Sequence, residues 1–129
     1  MTKFGRTPLH VAARTQGVTA ALVSTAVEQG GINTRDDHGF SPLYTAAMFN
    51  DTAAIELLLS NRADTGSADL GGLTPLHIAC EKGRTEAAVL LLRGNANPEA
   101  KDSINRTPLE WAIAKGHEAT CAALHKELQ

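Results

Sequence analysis

His77 and Cys80 stand three residues apart and His117 and Cys121 four, so in each place an imidazole and a thiol would share one face of a helix. Such pairs could hold a soft metal ion or set a base beside a nucleophilic thiol. Neither chemistry is completed. No further pair stands at ligand spacing to fill a four-ligand zinc site, and Cys80 lies on an apolar stripe, whereas a reactive thiol needs an exposed, electropositive setting. Free cysteine in such a stripe behaves as a small hydrophobe, so Cys80 and Cys121 are expected as reduced thiols, in keeping with a cytosolic compartment. Asn50-Asp51-Thr52 and Asn105-Arg106-Thr107 match the glycosylation pattern but fall within turns. The glycine-rich stretch around Gly66, Gly71 and Gly72 has no strand before it and no Lys-Ser or Lys-Thr after it, so these glycines serve turns rather than a phosphate. The expectation is a chain with no catalytic residue, no metal and no cofactor of its own.

The elements that carry these residues begin at one hexapeptide. Thr74 to Ala79 reads Thr-Pro-Leu-His-Ile-Ala, and close variants stand at Thr7 to Ala12, Ser41 to Ala46 and Thr107 to Ala112, at steps of 34, 33 and 33 residues. A Thr or Ser hydroxyl accepts the first orphan amides of a helix, and a Pro just after it has no amide to lose and a φ suited to helix. Each hexapeptide therefore starts a helix. Leu76, Ala79 and Cys80 then fall at i, i+3, i+4, as do Leu43, Ala46, Ala47 and Leu109, Ala112, Ile113, which predicts one narrow apolar stripe per short helix. Ile55, Leu58, Leu59 and Ala88, Leu91, Leu92 repeat the spacing on a second helix, across turns at Asn50 and Gly83. Small residues on the first stripe suit close stacking of like units.

The chain has 129 residues, 43% of them hydrophobic but only 4% aromatic, so cohesion has to come from aliphatic packing. A net charge of −2 without a run of Lys or Arg argues against nucleic-acid binding. The longest apolar run, Ala87 to Leu92, is far below the roughly 20 residues of a membrane helix, and no apolar secretory segment opens the chain. We expect an intracellular monomer, cytoplasmic or nuclear.

A period of about 33 residues carrying Thr-Pro-Leu-His-x-Ala resembles the ankyrin repeat. The resemblance covers nearly the whole chain and implies an all-α solenoid of four stacked helix-turn-helix repeats with projecting β-turn loops. The repeats would span approximately 1–35, 36–68, 69–101 and 102–129 of a single domain, 1–129. Asp36, Asp69 and Asp102 precede three of the hexapeptides by five residues, and the first has no such Asp. Gly39, Gly72 and Asn105 stand where the resemblance calls for positive φ in the turn, and Arg62 and Asn95 where it calls for a left-handed residue after the second helix. The first repeat carries an extra residue between Ala13 and Val18, which leaves two registers for its second helix: Leu22, Thr25, Ala26 inward, or Val23, Ala26, Val27 inward with Gly30 ending the helix. The second is preferred because it buries no Thr. In the last repeat, Thr120 and His125 replace Ala and Leu, which reads as a polar capping face. The start inside a turn fits a piece cut from a longer chain.

The resemblance further implies a concave face formed by turn tips and the exposed side of the first helices. On this chain that face maps to Phe4, Arg6 and Arg14 in the first repeat, and to Asp37, His38, Phe40, Met48 and Phe49 in the second. In the third it maps to Leu70, Leu73, Glu81 and Lys82, and in the fourth to Ile104, Arg106 and Lys115. All three Phe of the chain fall there, where the repeat core does not need them. Aromatics and Met are enriched at interface centres, so the expected function is non-catalytic binding of a protein partner that offers a helix, loop or extended peptide. The alternative is a targeting or regulatory domain of a larger enzyme or channel.

Overall fold

The computed structural model describes residues 5–129, and its helices come in four antiparallel pairs. In chain order they are α1 (Pro8–Arg14) and α2 (Ala20–Glu28), α3 (Pro42–Met48) and α4 (Thr52–Ser60), α5 (Pro75–Glu81) and α6 (Thr85–Arg93), and α7 (Pro108–Ala114) and α8 (Glu118–Glu127). No strand occurs among the described residues. The four first helices stack on one another in one layer and the second helices in another, with α5 between α3 and α7.

Each first helix starts as its hexapeptide dictates. Thr7, Ser41, Thr74 and Thr107 sit in extended conformation and accept the amides of His10, Tyr44, His77 and Glu110 on their hydroxyls, with Pro following. The stripe residues Leu43, Ala46, Ala47, Leu76, Ala79 and Cys80 are buried. Positive φ recurs at Gly30, Arg62 and Asn95 after the second helices, as expected for a left-handed residue.

The pairs are also tied through the starts of their second helices. Arg84, at the N-cap of α6, donates its Nε–H to the Met48 carbonyl at 3.0 Å, and His117, at the N-cap of α8, donates its Nε2–H to the Glu81 carbonyl at 2.9 Å. Both carbonyls belong to the last turn of the first helix of the preceding pair, α3 and α5, where they have no helical partner. Neither residue caps its own helix; each satisfies its neighbour.

Four expectations need correction. In the first pair Thr19 caps α2 twelve residues after Thr7, whereas Asp51, Arg84 and His117 follow their caps by ten, and Ser41 follows Gly30 by eleven where the later pairs take twelve. Two residues are inserted between the helices and one is removed from the following loop, so the step of 34 conceals a compensated change. The preferred register holds for Val23, which is fully buried, but Val27 is 44% exposed. Thr120 does not face outward: it is buried and its Oγ lies 2.7 Å from that of Thr85 in the preceding pair. Ile113 is 62% exposed although Ala47 and Cys80, at the same place in α3 and α5, are fully covered. Those two lie under the next first helix, and no described helix lies over α7.

Candidate functional site

The turn tips are built around three aspartates. Asp36 Oδ1 accepts the amides of His38 and Phe40, Asp69 Oδ1 those of Gly71 and Leu73, and Asp102 Oδ1 those of Ile104 and Arg106, at 2.8 to 3.0 Å. The backbone closes each turn from the other side, with the Asp amide donating to the carbonyl four residues on. This turn needs φ near 80° at Gly39 and Gly72, and a Cβ there would meet the next tip's backbone at 2.9 and 3.0 Å, so the tips also pack on one another. Asn105 takes φ 67° in the last tip, where no further tip follows among the described residues. The second oxygens are used too. Tyr44 OH donates to Asp69 Oδ2 and Trp111 Nε1–H to Asp102 Oδ2, both at 2.7 Å, while Arg6 Nε lies 3.9 Å from Asp36 Oδ2. Burial pushes the Asp102 carboxyl up, but the Arg106 amide, Trp111 and the Ile104 amide hold it below the usual range.

The two hexapeptide histidines are framework. His10 Nδ1 accepts the Thr7 amide at 3.1 Å, so Nε2 carries the proton and donates to the Phe40 carbonyl at 2.6 Å. His77 does the same with the Thr74 amide and the Arg106 carbonyl, at 3.1 and 2.8 Å. Each ring thereby fixes the next turn tip to its own helix start. Burial lowers the basicity of His10. In the other two pairs Tyr44 reaches the next tip's Asp and Glu110 returns to the Thr107 amide. Burial pushes the Cys80 thiol up to about 12, which keeps it un-ionised and unreactive at neutral pH. Among the described residues no three His, Cys, Asp or Glu side chains gather closely enough to hold a metal ion.

Around this frame the first and second pairs enclose an open hollow of about 170 Å³, lined by Arg6, Arg14, Asp36, Phe40, Thr45, Met48 and Phe49. Five of the residues mapped to the concave face meet there. Phe49 is 37% exposed, with the Arg14 guanidinium 5.7 Å from its ring centre. Phe40 is half-buried: it stacks on Tyr44 at 4.5 Å and meets the exposed His38 ring at 5.5 Å, so it serves the stack as well as the hollow. Met48 is half-buried and lines the same hollow. Asp37 is exposed at the tip.

Farther along, Leu70 and Ile104 project from their tips at 75% and 60% exposure, while Leu73 is half-buried against the core. Glu81 is half-buried and Lys82 exposed at the end of α5. Arg106 and Lys115 come together over the Trp111 ring, at 4.8 and 6.0 Å from its centre. Phe4 lies outside the described residues. Trp111 is the residue that reading the sequence missed. It stands four residues after its cap, as Val11, Thr45 and Ile78 do, and a large aromatic ring among β-branched residues at that place was the available signal.

The arrangement offers apolar and aromatic surface, outward cations and backbone fixed by short polar bonds. Such a surface suits holding a polypeptide. A family model described as "Ankyrin repeats (3 copies)" matches residues 1–69 and again 46–128. Over 67 residues, 50% of this chain, the sequence is 42% identical to neurogenic locus notch homolog protein 2 of Homo sapiens, and equally to that of Mus musculus. The chain spans 3% of the length of those relatives.

Proposed function

This chain belongs to the ankyrin-repeat family, a family of non-catalytic protein-interaction modules, and from that premise we propose that it binds a partner protein through its concave face. The reading treats residues 1–129 as one domain, acting as a monomer in cytoplasm or nucleus, with no nucleic-acid partner. No helix among the described residues is long and apolar enough to cross a membrane. The observation that carries the proposal is the hollow of Arg6, Arg14, Phe40, Met48 and Phe49, with the Phe49 ring left 37% exposed at it. A large exposed apolar group amid preorganised cations is costly to keep solvated and useful in an interface.

The test separates surface from fold. Phe49→Ser should leave the melting transition within about 0.5 kcal/mol of the parent, as exposed substitutions do, and should remove partners recovered from cell lysate by the parent. Leu43→Ala should lower stability while its folded fraction still recovers those partners. If Phe49→Ser stays folded and keeps every partner, the concave reading is wrong.

A second reading has its own support. The matching segment of the two relatives is a small part of far longer chains, so a unit of this kind can work as the targeting or regulatory piece of a larger protein. Under that reading the concave face still does the binding and the consequence is executed elsewhere.

A further inference from the structure

The concave face is charged unlike the rest of the molecule. Five of its mapped, described positions are cationic (Arg6, Arg14, Lys82, Arg106, Lys115) and two anionic (Asp37, Glu81), on a chain whose net charge is −2. The acidic surplus therefore lies elsewhere. Arg6 approaches Asp36, but Arg14, Lys82, Arg106 and Lys115 make no ion pair among the described residues. Three of those four lie over aromatic faces instead, Arg14 at Phe49 and both Arg106 and Lys115 at Trp111. A cation held against a ring keeps its N–H donors available to a ligand while losing part of its rotamer freedom in advance, so later pairing costs less.

These residues form two stations. The first sits on α1 and α3 beside the hollow; the second sits on α7, two first helices farther along the stack. Packed helix axes lie about 8–10 Å apart, so the stations, two steps apart counted from α3 and three from α1, are separated by about 16–30 Å, or five to nine residues of extended chain at about 3.3 Å each. We infer that the concave face takes an extended acidic peptide, with carboxylates at both stations and an aliphatic side chain in the hollow next to the first. The inference rests on the concave-face reading and adds the chemistry of the partner. A nucleic acid fits less well. Its evenly spaced phosphates would meet Asp37 at the tip beside the first station and Glu81 on α5 between the stations, and they have nothing to place among Phe40, Met48 and Phe49, whereas a peptide can vary its charge and supply a hydrocarbon.

The experiment is selection from a displayed library of random peptides of about twelve residues, long enough to span both stations, against the parent chain. Affinities follow by fluorescence anisotropy of the enriched peptides and of a single-stranded oligodeoxynucleotide. The expected peptides carry several Asp or Glu with an aliphatic residue toward one end. Their affinity should fall at least tenfold for R14Q/R106Q/K115Q, a variant first shown to melt like the parent, and fall with added salt. Neutral or basic enriched peptides that lose affinity on Phe49→Ser would overturn the acidic partner while leaving the concave face standing. Acidic peptides that bind both variants as well as the parent would overturn both. Failure to enrich any peptide, or tighter binding of the oligonucleotide, would overturn the inference.

Discussion

The third helix pair and the first start from nearly the same six residues, and they end up differently buried. α5 buries every residue from Pro75 to Cys80, and α6 buries Ala87, Ala88 and Leu91. α1 buries Leu9, His10, Ala12 and Ala13, and α2 buries Val23 alone. The caps are alike: Thr7 and Thr74 each accept the third amide of their helix, and His10 and His77 close the same box. Capping is a local event that the hexapeptide settles by itself, whereas burial depends on a layer on either side. In a stack whose stability is roughly a sum of unit and nearest-neighbour terms, the third pair has two neighbours and the first has one among the described residues.

The largest effect that could break this comparison is in the second-helix layer. Leu91→Ala should cost about 2–5 kcal/mol, since a fully buried Leu leaves a cavity between fixed neighbours. Val23→Ala removes less and can collapse onto a half-open edge, so it should cost about 1–2 kcal/mol. Denaturant midpoints report both, and equal costs would mean that the first pair is as firmly held as the third. Hydrogen exchange should order the pairs the same way, with the first the least protected.

Next in size is the bond between Thr85 and Thr120. Thr120→Ala leaves the half-buried hydroxyl on Thr85 without its partner, at a cost of about 0.5–1.5 kcal/mol, and Thr85→Ala in the same background should cost almost nothing more. Additive losses in that double-mutant cycle would show that the two hydroxyls do not depend on each other. A Thr facing solvent, as the sequence suggested, would give no loss at all.

How far the sequence could be read follows from which interactions are local. Helix starts involve partners within about five residues, and type and spacing suffice to place them, whereas the left-handed positions at Arg62 and Asn95 followed only from the resemblance to the repeat family, since Arg carries no such signal of its own. Thr120 misled because a hydroxyl was equated with exposure; its partner stands 35 residues earlier. The loop changes around Thr19 and Ser41 nearly cancel in the repeat length, so no spacing argument could separate them. Ile113 sits correctly on an apolar stripe, but whether a stripe is covered depends on the next layer. In the candidate site, the cations and Phe49 were legible as turn-tip and helix-end positions. Trp111 was not, because its place on the helix is buried in the second and third pairs, at Thr45 and Ile78.

A smaller effect compares the two non-glycine residues that end second helices. Arg62 and Asn95 hold φ of 63° and 71°, where a Cβ costs about 1 kcal/mol and an Asn side chain recovers part of it through local hydrogen bonding. Arg62→Gly should raise stability by about 0.5 kcal/mol after the greater freedom of Gly in the unfolded chain is set against the relief, and Asn95→Gly should change it less. No gain at Arg62 would mean that its side chain contributes contacts that offset the strain.

The finest expected effect is a change of slope rather than of level, and it lies in the first pair. Burial lowers the folded-state basicity of His10 from an ordinary value of 6.5, against the opposing pulls of the Phe40 carbonyl and Asp36, with Arg6 adding to the lowering. The unfolded chain therefore takes up the proton first as pH falls. The stability that neutral His10 contributes is complete above about pH 6.5 and is lost progressively below it. The physical event is plain: Nδ1 accepts the Thr7 amide, and a proton placed there turns an acceptor into a donor facing a donor. The second pair uses Tyr44 at this place, donating to the Asp69 carboxylate of the next tip, and burial and that bond raise its pKa further from the acid range. His10→Tyr should thus import the second pair's arrangement, with Asp36 as the acceptor. Urea midpoints at about pH 7.5 and about pH 5.5 should differ less for His10→Tyr than for the parent, since the other acid-sensitive groups are common to both. Parallel pH profiles for the two proteins would show that His10 does not titrate between folded and unfolded states, and that the first pair's edge is no more sensitive to acid than the second pair's core.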